Sequence, residues 1–279
     1  MPDPLQSWND GAAKRAIADF VSRTTTETSP DYVRVPDRVA LFDNDGTLWV
    51  EQPMYTQLAF LLADVRKAAP EHPEWKTTEP FKSVLDNDLA QLAKAGVPGI
   101  MQLFAATQCG MSTDEFAKSA TDWIETARHP RFERLYTECV YQPMLELIDY
   151  LKANEFEVYI VTGGGMEFVR PWAERVYRVP SRRVVGSSLK TKFEMRNDAP
   201  VLIRTPQINL INDGDGKPVG IHEFIGQQPD CGVRELRWRP GNAAMDCGRQ
   251  RCAANITGSS HRFGARIRLR CPLALWYAR

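Results

Sequence analysis

The chain has 279 residues, 43% of them hydrophobic and 25% charged, the proportions of an ordinary globular protein with length enough for a sizeable core. The formal net charge is zero but unevenly spread: residues 231–279 hold ten Arg, no Lys, one Glu and one Asp, a net of +8 set against −8 on residues 1–230. No run of about 20 apolar residues exists to form a membrane-spanning helix, and the N-terminal stretch carries early acids without an apolar centre, so a cytoplasmic protein without a signal peptide is expected.

Ala13, Ile17, Phe20 and Val21 are spaced as one face of a first helix. The stretch "VALFDNDGTLWVE" follows at residues 39–51, and its four apolar residues Val39, Ala40, Leu41 and Phe42 read as a buried strand closed by an Asp- and Gly-rich turn. Residues 55–136 are helical in pattern. "YTQLAFLLADVRKA" and "FKSVLDNDLAQLAKAG" repeat apolar residues at three and four, the second closing on Gly96, and Ser112 with Glu115 forms the signature of a capping box.

From Tyr141 an amphipathic helix runs into "EVYIV" (157–161), a second buried strand that meets "TGGG" and then a helix from Met166 to about Tyr177. A short strand "RRVVGS" comes next, and "VLIRTPQINLINDGDGKPVGI" alternates as strands joined by a Gly-Asp turn. Strand–helix–strand order over 137–225 predicts an α/β fold with a mainly parallel sheet flanked by helices, and makes the helical block an insertion after the first strand. Cys109 and Cys139 are isolated and read as small buried hydrophobes.

Three features carry chemistry. Asp43 and Asp45 stand at the C-terminal end of a strand, where open α/β sheets place their ligands. Thr162, followed by Gly163, Gly164 and Gly165 and then a helix, offers a hydroxyl and backbone N–H groups to an anion. Lys217 adds a cation on a tight loop. Singly these are a turn, a helix start and a surface lysine. Together, and in this order, they describe phosphoryl transfer through a covalent aspartyl phosphate. Asp43 would attack phosphorus, and Asp45 would protonate the leaving oxygen and then activate water. Thr162, Gly163, Gly164 and Lys217 would offset charge on the phosphoryl oxygens. Two carboxylates and a phosphate dianion in one pocket call for a cation, so Mg²⁺ is expected as cofactor and a small phosphorylated metabolite as substrate.

"FDNDGTLW", "IVTGGG" and Lys217 resemble the first three signature motifs of the haloacid dehalogenase (HAD) superfamily, with the phosphoserine-phosphatase-like hydrolases as the nearest branch. The resemblance covers about 35 to 230. It implies a Rossmann-like core made of 1–54 and 137–230, a helical cap at 55–136, Asp43 as nucleophile and Mg²⁺ ligand, and Asp45 as acid/base with its backbone carbonyl on the metal. Relatives that are dehalogenases or phosphonate hydrolases lack the second Asp, so Asp45 favours a phosphatase. Phosphoserine phosphatases carry a substrate-contacting Glu about nine residues after the nucleophile; Glu51 stands eight after Asp43, a candidate substrate contact one position out of place.

The family pattern then requires paired acids, G-(D/N)-x-x-x-D, about 20 residues beyond Lys217. The chain there reads "CGVRELRWRPGNAAMDCG", with only Glu235 and Asp246. Back-translation of "GVRELRWRPG" read one nucleotide later permits "AFGNSDGDL", with two aspartates spanning Arg237–Trp238 and Arg239–Pro240, and the same offset gives an amphipathic continuation. Residues 231–279 therefore read as a frame-shifted translation of a family-like C-terminus, shifted between about Pro229 and Gly232. The expectation is an irregular tail, loss of the last strand and an impaired hydrolase. Two alternatives are an inactive HAD-like protein and a nucleic-acid-binding tail in which ten Arg with Trp238, Phe263, Trp276 and Tyr277 grip phosphates. The absence of Lys and of any recognisable module weighs against nucleic acid.

Overall fold

A computed structural model describes residues 3–227 in full and the backbone of 231–235 and 267–270. The elements run α1 (Ala12–Thr25), β1 (Val39–Phe42), α2 (Thr56–Ala68), α3 (Phe81–Leu85), α4 (Leu89–Gln108), α5 (Thr113–Ile124), α6 (Gln142–Ala153), β2 (Glu157–Gly165), α7 (Met166–Tyr177), β3 (Val184–Arg196), β4 (Ala199–Leu210), α8 (Gly216–Phe224), β5 (Cys231–Glu235) and β6 (Ile267–Arg270). The sheet order is β4-β3-β2-β1-β5-β6. The central four strands, β3, β2, β1 and β5, are parallel, and β4 and β6 pair antiparallel at the two edges. The expected α/β architecture, a mainly parallel sheet flanked by helices, is the observed one.

All four residues of β1 are buried because both faces of the sheet are covered. Ala40 and Phe42 join the main core with Phe20 of α1, Leu147 and Ile148 of α6, and Val169 and Trp172 of α7. Val39 and Leu41 face the other way, with Val161, Val185, Ile221 of α8 and Ile225 just past its end. The alternation of β1 thus fixes which helices lie on which face.

The helical block between β1 and β2 has a core of its own, built from Leu61, Leu62, Val65, Trp75, Phe81, Val84, Leu92 and Leu103. Ser112 and Glu115 form the anticipated capping box at the start of α5. The segment read as one helix ending at Gly96 is different in detail. It breaks after Leu85, restarts with Asp88 capping the N–H of Gln91, and at Gly96 (φ 58°) kinks and continues past Pro98 to Gln108.

Three further expectations are corrected. The strand "RRVVGS" extends to Arg196, because β3 and β4 form a long hairpin whose turn residues, Asn197 (φ 50°) and Asp198 (φ 62°), take the left-handed conformation such turns need. Lys217 lies in the first turn of α8 instead of on a turn between strands; Pro218, third in that helix, is tolerated where backbone donors are unpaired in any case. Finally, residues 231–235 are not irregular, and the strand beside β1 is not lost: β5 pairs with β1 in the register Ala40↔Cys231, Leu41↔Gly232, Phe42↔Val233, and β6 pairs with β5. The edge of β1 opposite β2 offers a row of backbone N–H and C=O groups, a template on which a further strand can pair. Residues 236–266 and 271–279, with Trp238, Asp246, Phe263, Trp276 and Tyr277, lie outside the described residues.

Candidate active site

β1 is the switch point of the sheet: β2 lies on one side of it and β5 on the other, and in open α/β sheets ligands bind beyond the carboxyl end of such a strand. Asp43 is the first residue past β1. One of its oxygens, Oδ1, accepts from the N–H of Asn44 at 2.9 Å, and Oδ2 lies 2.7 Å from Nζ of Lys217. The turn that follows is held by the N–H groups of Thr47 and Leu48 donating to the carbonyl of Asn44, and by the N–H of Gly46 (φ 71°) donating to Trp49. This turn brings Asp45 back toward β2. Its Oδ1 accepts from the indole Nε1 of Trp49 at 2.9 Å.

Burial raises the Asp45 carboxyl to about 6; the Trp49 hydrogen bond opposes the shift, and the negative charges of Asp43 and Glu51 add to it. Glu51 is therefore close enough to act on Asp45 electrostatically.

The glycine loop is set by an irregularity in the sheet. Pairing between β2 and β3 runs Ile160↔Val184, Val161↔Val185, then jumps to Gly165↔Ser187, so Thr162, Gly163 and Gly164 leave the ladder. Thr162 is buried, and its Oγ1 accepts from the N–H of Gly164 at 3.0 Å, which leaves its own O–H free to donate. Nδ2 of Asn212 donates to the Thr162 carbonyl (2.8 Å), and Oγ of Ser187 donates to the carbonyl of Gly163 (2.7 Å). A Cβ on Gly164 would lie 3.3 Å from Oγ1 of Thr162 and 3.7 Å from Oδ2 of Asp45. The three sequence motifs, far apart in the chain, thus converge around Asp45: Asp43 and Lys217 on one side, Thr162 and Gly164 on the other.

Several residues at this place carried no sequence signal that singled them out. Asn212 and Ser187 pin the loop from behind. At Gly186 a Cβ would sit 2.6 Å from the carbonyl oxygen of Gly164 and 2.8 Å from the nitrogen of Met166, so no side chain fits. Gln57, from the first turn of α2, accepts from the N–H of Gly165 at 2.7 Å. Trp49 was legible only as an apolar residue after the turn.

Among the described residues no group of three or more His, Cys, Asp or Glu side chains gathers as a metal site. What is present, the neighbouring carboxylates of Asp43 and Asp45, offers only oxygen donors. It suits a hard cation such as Mg²⁺, which commonly takes one or two carboxylates and completes its shell with water and substrate phosphate. Cys109 and Cys139 are free thiols, and no described helix is long and apolar enough to cross a membrane.

A mainly parallel α/β sheet with an inserted helical block, and acids, a glycine loop and a lysine gathered at the carboxyl end of its switch-point strand, define a Rossmann-like hydrolase architecture. The chain belongs to the haloacid dehalogenase-like hydrolase family, which matches residues 40–205. Solved structures similar to it include a protein of unknown function from Bordetella pertussis Tohama I (18% identity, 68% of this chain and 74% of that chain, TM-score 0.41). Others are a conserved functionally unknown protein from Anaerococcus prevotii DSM 20548 (13%, 78% and 77%, 0.43) and a phosphoserine phosphohydrolase-like protein from Francisella tularensis subsp. tularensis SCHU S4 (15%, 68% and 73%, 0.35). No curated protein matches the sequence significantly.

Proposed function

We propose that the active site is that of a Mg²⁺-dependent phosphomonoester hydrolase working through an aspartyl phosphate on Asp43. The observation that carries this reading is the convergence of the Asp43–Lys217 pair at 2.7 Å with Asp45 and the Thr162 glycine loop. An oxygen of Asp43 forms the bond to phosphorus while the ester P–O bond breaks, and Asp45 gives its proton to the departing alkoxide. Its elevated carboxyl suits it to hold that proton nearer neutrality than an ordinary aspartate would. In the second half Asp45 takes a proton from water, the resulting hydroxide attacks phosphorus, and Asp43 is released with inorganic phosphate. The Thr162 hydroxyl, the N–H of Gly163 and Lys217 hold the phosphoryl oxygens, joined by the N–H of Gly164 once it exchanges Oγ1 of Thr162 for a phosphoryl oxygen. A Mg²⁺ held by the Asp43 carboxylate and the Asp45 carbonyl would supply positive charge against those oxygens. Gln57, reaching the glycine loop from α2, supports reading the helical block as a cap over the site.

The C-terminal reading belongs to this proposal. β5 runs parallel to β1, so its last residue, Glu235, stands toward the same end of the sheet as Asp43, where the family's paired acids would complete the metal site. The sequence at that point is Arg-rich. We therefore take residues 231–279 to be a frame-shifted translation and the chain as written to be a weak catalyst at best. The test is an assay of the chain with its alternative frame restored, on an aryl phosphate with and without Mg²⁺. Mg²⁺-dependent release of phosphate, abolished by Asp43→Asn, is expected. No cleavage, or cleavage indifferent to Asp43→Asn, refutes the reading. Salt-sensitive retention of RNA by residues 231–279 would favour the nucleic-acid alternative.

A further inference from the structure

Beside the glycine loop lies a cavity of about 240 Å³, walled by Gly163–Gly165, the helical block and the β3–β4 hairpin. Its walls are chiefly apolar, with Met101 and Phe104 from α4, Phe116 from α5, Leu189 from β3 and Leu210 from β4. One cation is set among them. Arg204, on β4, is 4% exposed, its guanidinium stacks 3.5 Å above the ring of Phe116, and its Nε lies 2.8 Å from Oε2 of Glu167. The buried Nη1 of Arg204 has no hydrogen-bond partner among the described residues.

We propose that this cavity receives the alcohol part of the substrate, and that the alcohol is a single apolar ring carrying one uncharged hydrogen-bond acceptor for Arg204. The inference rests on the phosphatase reading of the adjoining site. Three observations select the chemistry. Size comes first: a cavity of about 150 Å³ accommodates benzene, so 240 Å³ has room for one ring with a substituent. Second, the walls are chiefly apolar, with Gln57, Ser187 and Ser188 as polar members, so a polyhydroxylated alcohol would exchange water for too few partners. Third, Glu167 already neutralises Arg204. A carboxylate or second phosphate would bring an unbalanced negative charge into apolar surroundings, whereas a carbonyl or ether oxygen can pair with the guanidinium and adds no charge.

Binding of free alcohols to the full 279-residue chain tests this without requiring turnover. Ligand-observed NMR titrations would compare para-hydroxyacetophenone, phenol and para-hydroxybenzoate. The acetyl compound is expected to bind about tenfold more tightly than either of the others. Leu189→Trp, which fills the cavity from β3, should remove that binding, and Arg204→Met should bring the acetyl compound down to the level of phenol. If Arg204→Met does not fold, Leu189→Trp decides alone. Equal affinity for all three alcohols, preference for the carboxylate, or binding untouched by Leu189→Trp overturns the proposal. Failure of the phosphatase reading is seen separately, as normal alcohol binding in a frame-restored chain that cleaves no ester.

Discussion

The N–H of Gly165 donates to Oε1 of Gln57 at 2.7 Å, so a side chain of the helical block already occupies a donor of the glycine loop. A phosphoryl oxygen arriving at that loop competes with Gln57 for the donor. Gln57→Ala should therefore tighten inhibition by inorganic phosphate by about tenfold, the scale of one hydrogen bond made without displacement of another. An inhibition constant that stays the same or weakens would show that Gln57 does not compete there.

Gly186 shapes the loop from the neighbouring strand. Gly186→Ala places a methyl group 2.6 Å from the Gly164 carbonyl oxygen, so the loop or β3 must shift. The expected cost is about 1–3 kcal/mol in urea unfolding, together with weaker phosphate binding. Full stability and unchanged phosphate affinity would mean that the backbone yields without consequence.

Asp64 on α2 gives a pH signature. Burial raises its carboxyl to about 6, although Nε2 of Gln108 donates to it at 2.8 Å. The folded protein thus holds this proton more tightly than the unfolded chain, whose aspartates titrate near 3.9. The stabilisation is complete below the unfolded value and is lost as pH rises through about 6. Asp64→Asn should remove that part of the pH dependence, raising the urea midpoint relative to wild type at pH 8 and not at pH 4. Parallel pH profiles for the two proteins would contradict this.

The C-terminal reading predicts a difference in metal affinity. Restoring the alternative frame puts paired acids after β5, and titration calorimetry should then show Mg²⁺ binding roughly 10–100-fold tighter than in the chain as written. Equal affinities would leave the Arg-rich sequence as an evolved tail.

Much of this was legible in the sequence because the signals were local and mutually consistent. The four-residue apolar run of β1, the strand leading into "TGGG" and the helix Met166–Tyr177 were each marked by period, length and punctuation. Asp43, Asp45, Thr162 and Lys217 could be ordered along the chain, but their convergence depends on sheet order, which no local pattern encodes. The misread parts have physical causes. α8 contains two glycines and a proline and looks like a turn; it is held by Ile221 and Ile225 packing on the sheet. The reach of β3 is set by its hairpin partner, not by its own composition. β5 pairs with the backbone of β1 in a stretch whose sequence gave no reason to expect a strand. Gln57 and Arg204 are single polar residues inside regular elements, and only the fold reveals what they face.

The central claim is that Asp43 becomes phosphorylated. Acid quench of the frame-restored chain during turnover of an aryl phosphate with Mg²⁺, followed by peptide mass spectrometry, addresses it directly. A phosphoryl group on Asp43, absent in Asp43→Asn and accumulating in Asp45→Asn when a good leaving group is used, is the predicted result. Turnover with no phosphorylated Asp43 peptide, or the same labelling after Asp43→Asn, would contradict it.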